Sequence, residues 1–245
     1  MLVFNYDHLY TVAETTNVRF AQARPFPHVV IDDFLPPEAY ASVRDCFPGP
    51  TDDIWKKPDN IHTRGKMVTK RGADDLKERQ YSQEARRVFH EFNSSLFLRF
   101  LETLTGIKGL IGDPYFAEGG FHSSEDGGYL DVHADFSHHD LLGLERRLNL
   151  IMYLNDDWEE TYGGALTLFD TDINPVSSVV PVGNRCLIFE TSATSFHGHP
   201  EAMKLAPGVY RRSIALYYYS VPTGREKSRI VFPADPEFVH KITTD

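Results

Sequence analysis

The 245-residue sequence predicts a mainly β fold with helices gathered in its N-terminal third, a jelly roll of cupin-like type backed by helices. Three observations carry this expectation. After Gly106, β-rich segments recur at 129–136, 147–154, 165–169, 176–180, 185–189, 194–198 and 209–219. Turn signals separate them: Gly127-Gly128, Gly163-Gly164, Asn174-Pro175, Gly183-Asn184 and Pro207-Gly208. Before Gly106 the apolar period is helical instead.

In chain order, Pro27 to Leu35 reads as a strand through Val29, Val30 and Ile31, ended by Asp32-Asp33. Pro36-Pro37 open a helix through Phe47, and Pro48-Gly49-Pro50 stop it. Residues 51–75 show little apolar periodicity and hold Lys56, Lys57, Arg64, Lys66, Lys70 and Arg71. A solvated loop accounts for them, and so does a lid that meets an anionic substrate. After Tyr81 a helix presents Val88, Phe89 and Phe92 on one face. A second, capped by Ser94-Ser95 and ended by Gly106, places Phe97, Phe100, Leu101 and Leu104 at i, i+3, i+4 and i+7. No repeat or low-complexity tract interrupts the chain. One domain is expected: 1–112 as helical support and lid region, 113–220 as β-core and 221–245 as a C-terminal extension.

Composition narrows the function. A formal net charge of −10 disfavours nonspecific binding to nucleic acid or anionic membrane. Two cysteines, Cys46 and Cys186, make no disulfide scaffold and fit a reducing compartment. The first residues carry no basic n-region, and no apolar run is long enough to span a membrane. The expectation is a soluble cytoplasmic protein.

The chemistry-bearing residues lie between Tyr129 and Ser220. Two His-x-Asp pairs occur, His133-Ala134-Asp135 and His138-His139-Asp140, and with 11 histidines roughly one arises by chance. The first lies in a strand-like run, where positions two apart share a face, so both side chains can reach one ion. The second sits in a polar cluster that reads as loop, bordering a site entrance at most. His197, late in the same β-region, supplies a third ligand; His199 is its rival, two residues on but next to Pro200. Two imidazoles and a carboxylate leave coordination positions open, which suits an Fe(II) oxygenase. Fourteen residues after His197, Arg211 shares a strand face with Ser213, Ala215 and Tyr217, opposite Arg212, Ile214, Leu216 and Tyr218. The first face offers a seat for a carboxylate, unless a protein acid pairs with Arg211. Asn149 and Tyr153 share a face of another strand and can contribute to that seat or to packing. By strand order Gly119-Gly120-Phe121-His122 and Tyr129 fall near the site mouth, where His122 and Tyr129 are candidate substrate contacts.

These motifs, in this order, resemble the 2-oxoglutarate and Fe(II)-dependent dioxygenases of the prolyl 4-hydroxylase-like branch. The likeness covers roughly residues 115 to 220, and more loosely the opening Pro27 to Leu35. The stretch Arg146 to Trp158 followed by Gly163-Gly164-Ala165-Leu166 is similar to the strand and turn after the His-x-Asp in that branch. The resemblance implies a double-stranded β-helix with Fe(II) held by His133, Asp135 and His197. It implies 2-oxoglutarate chelating the iron, its far carboxylate held by Arg211 and Ser213, and O₂ as the oxidant. Tyr153 matches the tyrosine that assists that carboxylate in hypoxia-type prolyl hydroxylases. Asn149 falls where the branch often has Thr. Collagen-type relatives carry Lys in place of Arg211, and related halogenases lack the acid present here as Asp135. The implied reaction hydroxylates an unactivated C–H bond while 2-oxoglutarate becomes succinate and CO₂. The substrate stays open among peptidyl proline, an amino acid, and a sugar- or lipid-linked molecule. Two other readings compete: a non-catalytic cupin-like binding module, and a metal dioxygenase that does not use 2-oxoglutarate.

Overall fold

The computed structural model describes residues 3–56, 62–69, 79–117 and 119–233. Among the described residues, four α-helices back a nearly closed, mostly antiparallel barrel: α1 (Tyr6–Gln22), α2 (Pro37–Asp45), α3 (Gln83–Phe92) and α4 (Ser95–Thr105). The strands are β1 (His28–Ile31), β2 (Trp55–Lys56), β3 (Thr63–Thr69), β4 (Ile111–Gly112), β5 (Gly120–His133) and β6 (Glu145–Tyr153). They continue as β7 (Leu166–Phe169), β8 (Pro175–Val179), β9 (Cys186–Glu190), β10 (His197–His199) and β11 (Arg211–Ser220). Their spatial order is β1-β9-β6-β11-β5-β10-β7-β8, with β3 also pairing β5 and β4 pairing β11.

The 14-residue β5 joins the two halves of the barrel. Its first part, 120–124, pairs with β11, and its last part, 130–133, pairs with β10. Gly127-Gly128, expected to separate strands, lies inside β5, where the β3–β5 register shifts.

The helices are where their apolar stripes predict. Ser94 accepts a hydrogen bond from Phe97 N as the cap of α4, and Gly106 ends it at φ +76°. Phe97, Phe100, Leu101 and Leu104 are fully buried and join one core with Leu148, Leu150 and Met152 of β6 and Ile214, Leu216 and Tyr218 of β11. The helix-facing side of β11 is therefore the one expected from its alternation. Helix α1 has no counterpart in the sequence reading. It buries only Leu9, Ala13 and Phe20, too sparse a stripe to stand out, and Thr11 and Thr15 satisfy themselves on carbonyls four residues back.

The expected loop at 51–75 is corrected in part. Trp55–Lys56 and Thr63–Thr69 are paired strands, and β3 lies along β5. Gly65, at φ +64° with its Cα face against the Gly128 backbone, makes the register shift that hides the alternation from a sequence reading. Of the basic residues named above, Lys57, Lys70 and Arg71 lie outside the described residues.

Candidate metal centre

His133 closes β5, Asp135 follows just beyond the strand, and His197 opens β10. The register sets His197 directly opposite His133, and opposed residues of an antiparallel pair point to one face. Their ring centroids are 4.4 Å apart. Asp135 Oδ1 lies 3.7 Å from His133 Nε2 and Oδ2 lies 3.5 Å from His197 Nε2. The candidate ligand atoms all fall within 4.8 Å of one another, the one such cluster among the described residues.

Each imidazole is set for ligation. His133 Nδ1 is 2.9 Å from the Asp131 carbonyl and His197 Nδ1 is 2.9 Å from the Ser195 carbonyl. A carbonyl only accepts, so each Nδ1 carries the proton and each Nε2 keeps a free lone pair. Burial, reinforced by His197, pushes the His133 pKa down to about 3, and burial also lowers that of His197 against the pull of Asp135. Both rings are neutral at physiological pH. Burial alone would raise the Asp135 carboxyl, but Arg146 first, then the two histidines and Asn149, hold it below the ordinary carboxylate range. Two neutral nitrogen donors and one carboxylate on one face fit Fe(II).

The acid has its own support, which the sequence reading missed. Arg146 Nη2 lies 3.2 Å from Asp135 Oδ2, and Asn149 Nδ2 donates to the same oxygen at 2.6 Å. Asn149 Oδ1 accepts from Arg146 Nε at 3.0 Å. Tyr217 and Phe136 stack on the guanidinium, their ring centroids 3.6 and 4.4 Å from Cζ. Strict alternation would turn Arg146 to the helix side with Leu148. A register shift against β11, where Tyr218 faces Leu148 but Tyr219 faces Arg146, brings it inward beside Asn149. Asn149, expected at the cosubstrate, bonds the acid and Arg146 here. Arg146→Met is expected to weaken Fe(II) affinity about 10- to 100-fold, the usual cost of losing a group that orients a ligand. An anaerobic iron titration checks this, and a change under twofold would leave Arg146 a packing role only.

Farther into the barrel, Arg211 is 7% exposed. Its Nε donates to the Gly164 carbonyl at 2.7 Å, and Nη2 stands 3.5 Å from the Tyr153 hydroxyl. Burial lowers its pKa and Tyr153 opposes this, yet a guanidinium stays charged in proteins. Among the described residues no carboxylate pairs with it, so the protein acid that would have explained a buried Arg is missing. Gly164 makes the seat possible: at φ +68°, an added Cβ would stand 2.5 Å from Met203 Sδ and 3.2 Å from Arg211 Cδ. Register places Ser213 opposite both Tyr153 and His122, and Arg211 opposite Ser124, so these side chains share the interior face. Tyr153, Leu166, Leu168, Leu187 and Phe189 form an apolar floor there.

The remaining candidates separate. His122 borders the Arg211 face, as its pairing with Ser213 and Val68 requires. Tyr129 lies nearer the triad, opposite Arg64 of β3. At the rim His62 bonds Asp131 at 3.1 Å and stacks on Phe232 at 3.6 Å, while Val231 bridges Ala134. The second His-x-Asp is structural. His139 Nε2 pairs with buried Asp113 at 3.2 Å and its Nδ1 accepts from Leu141 and Leu142 N, so it does not border the site; His138 bonds Ser137. His199 is buried in β10 but is not in the ligand cluster.

Known proteins agree with this geometry. The 2OG-Fe(II) oxygenase superfamily matches residues 119–219, the stretch from β5 to β11. Prolyl 3-hydroxylase OGFOD1 of Mus musculus is 38% identical over 79 residues, 30% of this chain but only 14% of that protein. The fold resembles a Trichoplax adhaerens prolyl hydroxylase bound to a hypoxia inducible factor peptide fragment, with TM-score 0.61 and 16% identity over 87% of this chain and 91% of that one. A prolyl 4-hydroxylase from Phytophthora capsici gives TM-score 0.57 and 18% identity over 90% and 67% of the two chains. Through residues 119–219, the β-core that carries the triad, the chain is similar to the 2-oxoglutarate/Fe(II) oxygenase superfamily, and its fold is that of the prolyl hydroxylase structures.

Proposed function

We propose that the protein is a 2-oxoglutarate- and Fe(II)-dependent hydroxylase acting on a peptide. The observation that carries the reading is a pair of features on one interior face: a neutral-imidazole and carboxylate triad, and a buried Arg211 with no carboxylate partner among the described residues. His133, Asp135 and His197 would hold the iron. Arg211, with Ser213 and the hydroxyl of Tyr153, would hold the far carboxylate of 2-oxoglutarate in a seat whose apolar floor strengthens the charge pairing. The bound pair supplies the oxidising chemistry: O₂ and 2-oxoglutarate are consumed, succinate and CO₂ leave, and one C–H of the substrate becomes C–OH.

The protein's share is positioning. Asp131 and Ser195 carbonyls orient the imidazoles, and Arg146 and Asn149 orient the acid. The rim formed by His62, Phe232, Tyr129 and His122 is the side from which substrate would enter. A peptide is favoured by the prolyl hydroxylase relatives, one of them a peptide complex. Lys66 of β3, within electrostatic reach of His133, His197 and His199, favours acidic residues in it.

The test is anaerobic. Metal-free protein given Fe(II) and then 2-oxoglutarate is expected to develop a weak visible charge-transfer band. With air admitted, proline-containing peptides should raise succinate release, acidic ones more than basic ones. Iron binding without the band favours a dioxygenase that does not use 2-oxoglutarate. No iron binding favours a binding module, and equal turnover of acidic and basic peptides removes the anionic preference.

A further inference from the structure

Between the triad and Arg211 stands a residue to which no role has been given, His199. It is 6% exposed, and its Nδ1 is buried with no hydrogen-bond partner among the described residues. A buried imidazole nitrogen left unmatched is costly, and such groups in native structures usually await a ligand or serve a site.

Topology locates its purpose. Along β10, positions two apart share a face, which turns His199 into the barrel with His197, although the register against β5 shifts between them, His197 facing His133 and His199 facing Leu130. β10 pairs with β7 through His197 opposite Leu168 and Gly198 opposite Thr167, so the step from His197 to His199 runs toward the start of β7. Just before that start lies Gly164, whose carbonyl seats Arg211 Nε. His199 is accordingly displaced by about 7 Å from the metal ligand toward the guanidinium, at the ~3.3 Å rise of a strand residue. It lies within electrostatic reach of both Arg211 and His133. The backbone between the two histidines is tight: a Cβ at Gly198 would stand 2.8 Å from the Asp131 carbonyl and 2.9 Å from that of Leu130. That closeness holds β10 in place and with it the aim of both rings.

We propose that His199 is a cosubstrate-binding residue, donating a hydrogen bond to the carboxylate that Arg211 receives and so selecting a 2-oxo diacid over a 2-oxo monoacid. This rests on the proposed use of 2-oxoglutarate. The seat then has a cation, Arg211, and a neutral donor approaching from another strand. Together they define both the charge and the reach of the ligand.

The experiment uses full-length protein loaded with Fe(II) without oxygen, with 2-oxoglutarate titrated by the visible band. His199→Leu is expected to raise the 2-oxoglutarate Kd about tenfold or more, as loss of one charge-assisted hydrogen bond implies, with Fe(II) affinity unchanged. Pyruvate, which chelates alike but lacks the far carboxylate, should bind the variant and wild type equally. His199→Gln, which keeps a donor, should recover most of the loss. An unchanged 2-oxoglutarate Kd, or equal losses for 2-oxoglutarate and pyruvate, overturns the proposal. If His199→Leu does not fold, ring-labelled histidine spectra of Zn(II)-loaded wild type decide, with His199 assigned through His199→Gln. The His199 resonance should move with 2-oxoglutarate and not with pyruvate, and a silent resonance overturns the idea. A wild type that shows no band with any 2-oxo acid is a different failure, that of the proposed function.

Discussion

Arg211→Ala is expected to raise the 2-oxoglutarate Kd by about 100-fold or more while leaving Fe(II) affinity as it is. Truncating one partner of a buried charge pair costs roughly 2–5 kcal/mol, which is about 30-fold to several thousandfold in affinity. The stability of the unliganded protein separates this from a structural role. Among the described residues Arg211 has a carbonyl and a phenol for partners and no carboxylate. A cation buried without a counter-ion is a cost to the fold, so its removal should leave the melting temperature of the cosubstrate-free protein unchanged or raised. A guanidinium that braced the barrel would instead lower it. Added 2-oxoglutarate should raise the melting temperature of iron-loaded wild type and not that of the variant, because only a ligand that binds the native state stabilises it. A variant with wild-type cosubstrate affinity would remove Arg211 from the seat and with it the strongest support for a 2-oxo diacid.

What the sequence discloses about this site follows from what depends on local pattern. Strand alternation puts Arg211 and Ser213 on the interior face, and β11 obeys it because its register with β5 is regular over Arg211 to Ala215. The triad is legible because chain order places a His-x-Asp at the end of one strand and a lone His at the start of its partner. Arg146 is illegible for the opposite reason: a register shift reverses the side to which it points, and no residue type at 146 or 147 announces it. The bonds of Asn149 are hidden as a consequence, since its carboxamide partners Arg146 and Asp135 only once that arginine has turned inward. The β3 strand is hidden likewise by the register shift at Gly65, and α1 by a stripe of three buried residues over 17. His199 is visible in the sequence only as a competitor for iron. The register of β10 against β7 is what carries it away from the metal.

His133→Ala and Asp135→Ala should both abolish the charge-transfer band, yet only one should weaken the fold. Losing a ligand must exceed the 10- to 100-fold cost of losing its outer support, so Fe(II) affinity is expected to fall by more than about 100-fold in each. In the metal-free protein the consequences diverge. His133 makes one hydrogen bond to a main-chain carbonyl, and its loss costs about 1 kcal/mol. Asp135 faces the guanidinium of Arg146, which is 1% exposed. Deleting that carboxylate leaves the buried cation without the charge it was built against, a loss of about 3–5 kcal/mol. Chemical denaturation of the metal-free variants should therefore show His133→Ala near wild type and Asp135→Ala well below it. Adding Arg146→Met to Asp135→Ala should restore much of the difference, since the pair removed together costs less than either half removed alone. A His133→Ala protein that binds iron as wild type does would take this histidine out of the metal set. Equal stability of the two single variants would mean that Arg146 does not depend on Asp135 for its charge balance.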